Sequence, residues 1–247
     1  MMLLNCDMGE SYGAWTMGAD ADVMPHIDLA NIACGFHAGD PAIMQRTIAL
    51  AVAAGVKVGA HPAYPDLAGF GRRSLTFPDT ELLAILHYQI GAMKAMCRVA
   101  DTPLHHVKPH GALYNDMQSS EQLFRLVCQA VANTAPEAKL LTLARPDQEY
   151  WRAIAAEYQV DVLFEAFADR AYEDSGQLRS RALSGAVLAD RAAILAQVNS
   201  LASSARITTF SGNELALPAD TICVHGDNPE SIATVAAIRE SLTTLRA

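Results

Sequence analysis

No apolar stretch of this chain is long enough to cross a bilayer. The run from Ile48 to Val56 falls far short of the roughly 20 residues that a spanning helix takes. Clustered positive charge is equally scarce. The basic runs are only Arg72-Arg73 and Arg179-Ser-Arg181, and the formal charge is −9. Phosphate backbones are gripped by clustered Lys and Arg, so nucleic acid is not an expected partner, and neither is a membrane. The first residues, Met1-Met-Leu-Leu-Asn-Cys-Asp7, carry neither a positive n-region nor a long apolar h-region. No secretory signal is expected, and the expected location is cytoplasmic. The five cysteines (Cys6, Cys34, Cys97, Cys128, Cys223) are odd in number and include no C-x-x-C pair. That excludes a disulfide framework or zinc ribbon and leaves small buried hydrophobes in a reducing compartment.

Several catalytic signatures are missing as well. There is no G-x-x-x-x-G-K-[ST] phosphate loop, no G-x-S-x-G elbow and no H-E-x-x-H. Gly69-Phe-Gly-Arg-Arg-Ser74 imitates half of a dinucleotide fingerprint. It lacks the third glycine and follows a loop, so it is set aside. No linker, low-complexity tract or fixed-period repeat interrupts the chain.

What is present is an apolar fraction of 51% over 247 residues, ample for a large core. Apolar runs alternate with helical patterns. Strands are expected at 2–6, 29–34, 56–60, 104–108, 139–143, 161–167, 206–210 and 220–224, and helices at 41–54, 79–100, 119–133, 147–158, 188–202 and 229–245. Such alternation implies parallel strands joined by crossovers. Asp40-Pro41 and Asn228-Pro229 each place a capping residue before a proline, and Ser119-Ser-Glu-Gln122 has capping-box spacing. The long irregular stretches 61–78 and 168–187 are candidate substrate-closing loops or plain surface loops.

Six blocks share one plan, in which an apolar run ends in polar groups. They are 3–10, 31–41, 56–62, 106–115, 162–170 and 221–229. If the runs are parallel strands of one sheet, their polar ends meet at one edge, as in a barrel enzyme. Asp7 and Glu10 could divide acid and base roles or bind a metal. His37, His61, His110 and His225 follow four different strands and suit proton transfer or metal binding. Asp7, His37 and His61 are the expected metal set. Lys108 could stabilise an oxyanion. Arg72, Arg73 and Arg170 could clamp a substrate carboxylate, with Glu165 and Asp169 placed to orient Arg170. His26, His87, His105 and His106 read as structural.

The blocks Asn5-Cys-Asp-Met-Gly-Glu-Ser-Tyr-Gly13, Ile32-Ala-Cys-Gly-Phe-His-Ala-Gly-Asp-Pro41, Gly59-Ala-His-Pro62, Gly69-Phe-Gly-Arg-Arg73, Val107-Lys-Pro-His-Gly-Ala-Leu-Tyr114, Phe167-Ala-Asp-Arg-Ala-Tyr172 and Cys223-Val-His-Gly-Asp-Asn-Pro229 closely resemble the LamB/YcsF family. That family supplies one component, the A subunit, of bacterial ATP-dependent 5-oxoprolinase. The resemblance runs from residue 2 to about residue 245. It implies an α/β fold, an irregular (β/α) barrel like that of the glycoside hydrolase/deacetylase superfamily, as one domain over 1–247. It implies ATP-driven opening of 5-oxo-L-proline to L-glutamate, with ADP and phosphate released, together with B and C subunits. On that reading Asp7, Glu10, His61, Lys108, His110 and His225 are the candidate catalytic residues. His37, Arg72, Arg73, Glu165 and Arg170 are the candidates for holding substrate. ATP is the expected cofactor, with a divalent metal as an option. Two rivals remain: a stand-alone metal-dependent deacetylase or amidohydrolase, and a non-catalytic subunit that binds substrate.

Overall fold

The computed structural model describes residues 2–224 and 229–245. Along the chain run β1 (Leu3–Met8), α1 (Asp20–Val23), β2 (Leu29–Ala33), α2 (Pro41–Ala54), β3 (Lys57–His61), α3 (Asp79–Val99), β4 (Leu104–Val107), α4 (Gly111–Ser119) and α5 (Glu121–Thr134). They continue as β5 (Lys139–Leu143), α6 (Gln148–Glu157), β6 (Val162–Phe167), α7 (Arg191–Ser204), β7 (Arg206–Thr208), β8 (Glu214–Ala216), β9 (Thr221–Val224) and α8 (Pro229–Thr244).

Among the described residues, seven strands close a barrel in the order β1-β2-β3-β4-β5-β6-β9. Every neighbouring pair is parallel. Strands of this kind are covered on both faces, which is why they read as near-continuous apolar runs. All five residues of β2, Leu-Ala-Asn-Ile-Ala, are buried. Helix ends follow local chemistry. The Asp40 carboxylate accepts from the N–H groups of Ala42 and Ile43, and Pro41 opens α2. On α8, Val235, Ile238 and Leu242 form a buried stripe, and Leu245, just past the helix, is exposed.

The structure departs from expectation at several elements, among them α1 and β8, which no expected element covers. Of the expected strand at 206–210 only Arg206–Thr208 forms, as β7, and it pairs antiparallel with β8 outside the barrel. Only Ile207 of β7 is buried, and that one-sided alternation marks a half-exposed antiparallel ribbon rather than a barrel strand. Helix α4 has no counterpart among the expected helices: it opens on a glycine, and His110 before it makes no side-chain cap. The capping serine of α5 is Ser120, which accepts from Leu123 N–H, so the start lies one residue later than the Ser119 spacing suggests. The Asn228 cap lies outside the described residues.

Parallel closure puts the carboxyl ends of all seven strands at one rim. The helices cover the outside with apolar side chains. The barrel interior, in contrast, holds polar groups: Asn5, Asn31, His106, Glu165 and Thr221 are all fully buried.

Candidate active site

The rim carries a cavity of about 900 Å³ lined by Asp7, Glu10, His61, Lys108, His110 and Arg170, among others. That volume lies within the range of small-molecule sites. On its floor Lys108 is almost fully buried. Its Nζ donates to Asp7 Oδ1 at 3.0 Å and Asn5 Oδ1 at 3.2 Å, with Cys223 Sγ at 3.3 Å. Glu165 Oε2 lies 3.1 Å away, an ionic contact rather than a directed hydrogen bond. Burial opposes the ammonium charge, but Asp7 and Glu165 outweigh it and push the Lys108 pKa well above its ordinary value. Cys223 is pushed the other way for a nucleophile. Burial raises its thiol pKa well above the usual value, so the thiol stays inert.

Beside Lys108 the histidines gather. His37 and His110 stack with ring centroids 3.7 Å apart, and Phe70 packs edge-on against both. Gly71 makes this fit. Its φ is +63°, and a Cβ there would lie 2.8 Å from His37 Cβ and His110 Cδ2. His37 Nε2 faces Glu10 Oε1 at 3.2 Å. Burial, then the neighbouring histidines, hold the His37 and His110 pKa values well below the ordinary one.

Two main-chain carbonyls fix the ring protons. His61 Nδ1 meets Lys108 O at 2.6 Å, and His110 Nε2 meets Phe70 O at 2.9 Å. A carbonyl only accepts, so these two nitrogens carry hydrogens. The remaining nitrogens, His61 Nε2 and His110 Nδ1, then face each other at 2.9 Å. In neutral rings both present lone pairs, so a cation or a proton belongs between them. Asp7 Oδ2 lies 3.3 Å from His61 Nε2, and Glu10 Oε1 lies 3.7 Å from His110 Nδ1. Donor atoms of Glu10, His37, His61 and His110 all lie within 4.8 Å of one another, a group that could hold a metal ion. This corrects the expected metal set. Glu10 and His110 take the place given to Asp7, whose Oδ1 is turned to Lys108 instead.

The arginines separate. Arg72 lines the cavity and rests over the Phe70 ring at 5.0 Å. Arg73 is turned to Asp66: its Nε donates to both carboxylate oxygens, at 3.0 and 3.1 Å. Those hydrogen bonds hold the Asp66 carboxyl below its ordinary pKa. Arg73 therefore anchors the 61–78 loop. Arg170 is buried at the cavity wall, donating to Ala186 O and Arg179 O. Burial lowers its pKa. The 168–187 stretch is not a loose loop, being tied by the bridges Arg170–Val187 and Tyr172–Leu178.

The structure thus brings together Asp7, Glu10, His37, His61, Lys108, His110 and Glu165, with Arg72 and Arg170 on the same cavity. His37 and Glu165 are buried behind its surface. His225 lies outside the described residues. Sequence reading passed over Asn5 and Asn31 and took His106 as structural. Each sits inside an apolar run, where the side facing the barrel's centre cannot be told from the side facing the helices.

Comparison with known proteins agrees with this architecture. The LamB/YcsF family model matches residues 2–246. The chain is 56% identical over 243 residues to the A subunit of 5-oxoprolinase from Chromohalobacter salexigens, covering 98% of this chain and 97% of that protein. It is 55% identical to the corresponding 5-oxoprolinase subunit of Vibrio parahaemolyticus, covering 98% and 95%. The crystal structure of the lactam utilization protein from Thermus thermophilus superposes with a TM-score of 0.91 at 38% identity, covering 99% of this chain and 97% of that one.

Proposed function

Since this chain belongs to the LamB/YcsF family, we propose that it opens 5-oxo-L-proline to L-glutamate as one subunit of an ATP-dependent 5-oxoprolinase. B and C subunits complete the enzyme and supply part of the nucleotide site. The observation that carries this reading is the cavity floor, where the Lys108 ammonium sits between Asp7 and Glu165 and beside the facing His61 and His110 nitrogens.

A five-membered lactam is an unstrained amide, with a poor electrophilic carbon and a poor leaving nitrogen. Transfer of a phosphoryl group from ATP to its oxygen makes the carbon electrophilic. Water then adds, the ring nitrogen leaves with a proton to give an acyl phosphate, and a second water splits that to L-glutamate and phosphate. The Asp7–His61 pair serves as base toward that water. The proton that His61 Nε2 takes up is shared with His110 Nδ1, 2.9 Å away, and passes from there to the nitrogen, while Lys108 supplies positive potential where the oxyanion develops. Arg72 or Arg170 pairs the substrate carboxylate. Lys108 orients Asp7, and Glu165 orients Lys108 from behind. His225 keeps the catalytic candidacy that its sequence position gives it.

The donor set of one carboxylate and three imidazoles suits a divalent transition metal, and the facing lone pairs of His61 and His110 favour a cation there. Glu10, His37, His61 and His110 would hold it in place of the shared proton, leaving Asp7 as the base, and it would supply Lewis-acid polarisation.

The test is glutamate release from 5-oxoproline by the chain with and without its partner subunits. Turnover is expected only with ATP and the assembled complex, and Asp7→Asn should lower kcat. An assembled complex that runs at full rate with Asp7→Asn would leave this chain a non-catalytic binding subunit. ATP-free turnover by the chain alone, lost to chelator, would make it a stand-alone metal hydrolase.

A further inference from the structure

The groups given roles so far stand at the rim. Below them, one row across the barrel governs how Asp7 is aimed. Strand register sets Asp7 of β1 beside Asn31 of β2, Asn31 beside Gly59 of β3, and Gly59 beside His106 of β4. In-register neighbours on parallel strands share a face, so this row lies on one side of the sheet. His106 is two strands away from Asn31, yet they touch. The imidazole crosses the space that Gly59 leaves: a Cβ at position 59 would lie 2.1 Å from His106 Nε2. Across that gap Nε2 meets Asn31 Oδ1 at 2.7 Å.

Donors and acceptors then line up in one direction. Asn31 Oδ1 only accepts, so His106 Nε2 carries the hydrogen. His106 Nδ1 accepts from His105 Nδ1 at 3.2 Å. With Oδ1 occupied, Asn31 Nδ2 donates to Asp7 Oδ1 at 2.8 Å and to Asn5 Oδ1 at 2.9 Å. A flipped amide would set its oxygen against both of those oxygens, and its NH₂ against the His106 N–H. Asn5 is held in turn by Thr221, whose hydroxyl accepts from Asn5 Nδ2 at 3.1 Å and donates to Leu3 O. Asp7 Oδ1 thereby receives both Asn31 and Lys108, and Oδ2 is turned to His61.

We infer that His106 is a positioning residue: acting through Asn31, and using the space at Gly59, it fixes which oxygen of Asp7 faces His61. The catalytic consequence rests on the function proposed above, whereas the His106–Asn31 contact does not. Burial and the adjacent His105 keep the His106 ring neutral, as a single-donor role requires.

Two measurements test this. In the purified chain with ¹⁵N-labelled histidine, His106 should appear as the Nε2–H tautomer near neutral pH. An Nδ1–H tautomer or an imidazolium would overturn the contact. In the assembled complex, His106→Leu should lower kcat about 10–100-fold, the scale of a misplaced reacting group, with KM within about threefold. His106→Gln keeps an N–H near the Nε2 position and should recover most of the loss. Adding His106→Leu to Asn31→Leu should cost nothing further. Equal kcat losses in the Leu and Gln variants, or losses that multiply in the double variant, would overturn positioning through Asn31. If the wild-type complex shows no turnover, the proposed function has failed and the tautomer alone decides the contact.

Discussion

Replacing Lys108 by Met removes the only cation in direct contact with both Asp7 and Glu165 among the described residues. Methionine fills similar space, so packing changes little. Charge changes a great deal. Removing one partner of a buried ion pair costs about 3–5 kcal/mol because the other is stranded. Two carboxylates are stranded here. Glu165 is fully buried, while Asp7 keeps 18% of its side-chain surface in solvent. Water at Asp7 offsets part of the loss, which sets the expectation at the lower half of that range. Unfolding entropy for a chain of this length is about 0.5 kcal/mol/K, so Tm should fall by about 6–8 °C. Calorimetry and urea unfolding at neutral pH would measure both quantities. A second variant is the decisive one. Glu165→Gln in the Lys108→Met background removes the worse of the stranded charges, and should restore about 1–2 kcal/mol, a coupling typical of contacting residues. A Lys108→Met cost below about 1 kcal/mol, or a loss that Glu165→Gln deepens, would refute the stranded-charge account.

Substrate kinetics should separate the arginines. Arg72→Ala or Arg170→Ala should cost ~1.5–3 kcal/mol in kcat/KM in the assembled complex, the range for hydrogen bonds to charged groups. Arg73→Ala should leave kcat/KM near normal, and equal losses at all three would count against a clamp. Elemental analysis of protein purified without chelator should find a divalent metal, and His37→Ala with His110→Ala should abolish it. An unchanged metal content in that variant would place the ion elsewhere. Acid should destabilise the fold through His105 and His106. Burial depresses His105 to about 4 and His106 well below its ordinary value. The unfolded chain therefore takes up protons first as pH falls below about 6.5, and stability present above that pH is lost toward pH 4. The slope should be about 1.4 kcal/mol per pH unit for fully buried His106 and less for half-exposed His105. Urea midpoints that stay flat between pH 7 and 5 would contradict this.

Most of the barrel was legible because its strands are covered on both sides. That burial writes itself into the chain as apolar runs, and the polar ends of those runs mark the rim. Helix α4 was not legible, since Gly111 and an uncapped His110 give no start signal. Arg72 and Arg73 are adjacent, and only the turn through Phe70 and Gly71, both at positive φ, decides which one reaches the cavity. Whether Asp7 or Glu10 joins the histidines depends on how the chain turns after β1, which no periodicity encodes. The interior row was hidden more deeply. Asn31 and His106 meet across an intervening strand, so their partnership exists only once the barrel has closed.

The carbonyls of Lys108 and Phe70 decide which nitrogens of His61 and His110 carry hydrogens. Because these acceptors belong to the main chain, a side chain can drift at position 70 without resetting either imidazole. The protonation pattern of the site is thus stored in the path of the backbone. Changing the length of the 61–78 segment would erase it, whereas exchanging residues of that segment other than His61, Asp66, Gly71 and Arg73 would not. Redesign of this pocket has latitude in composition at the other positions of the segment and almost none in loop length.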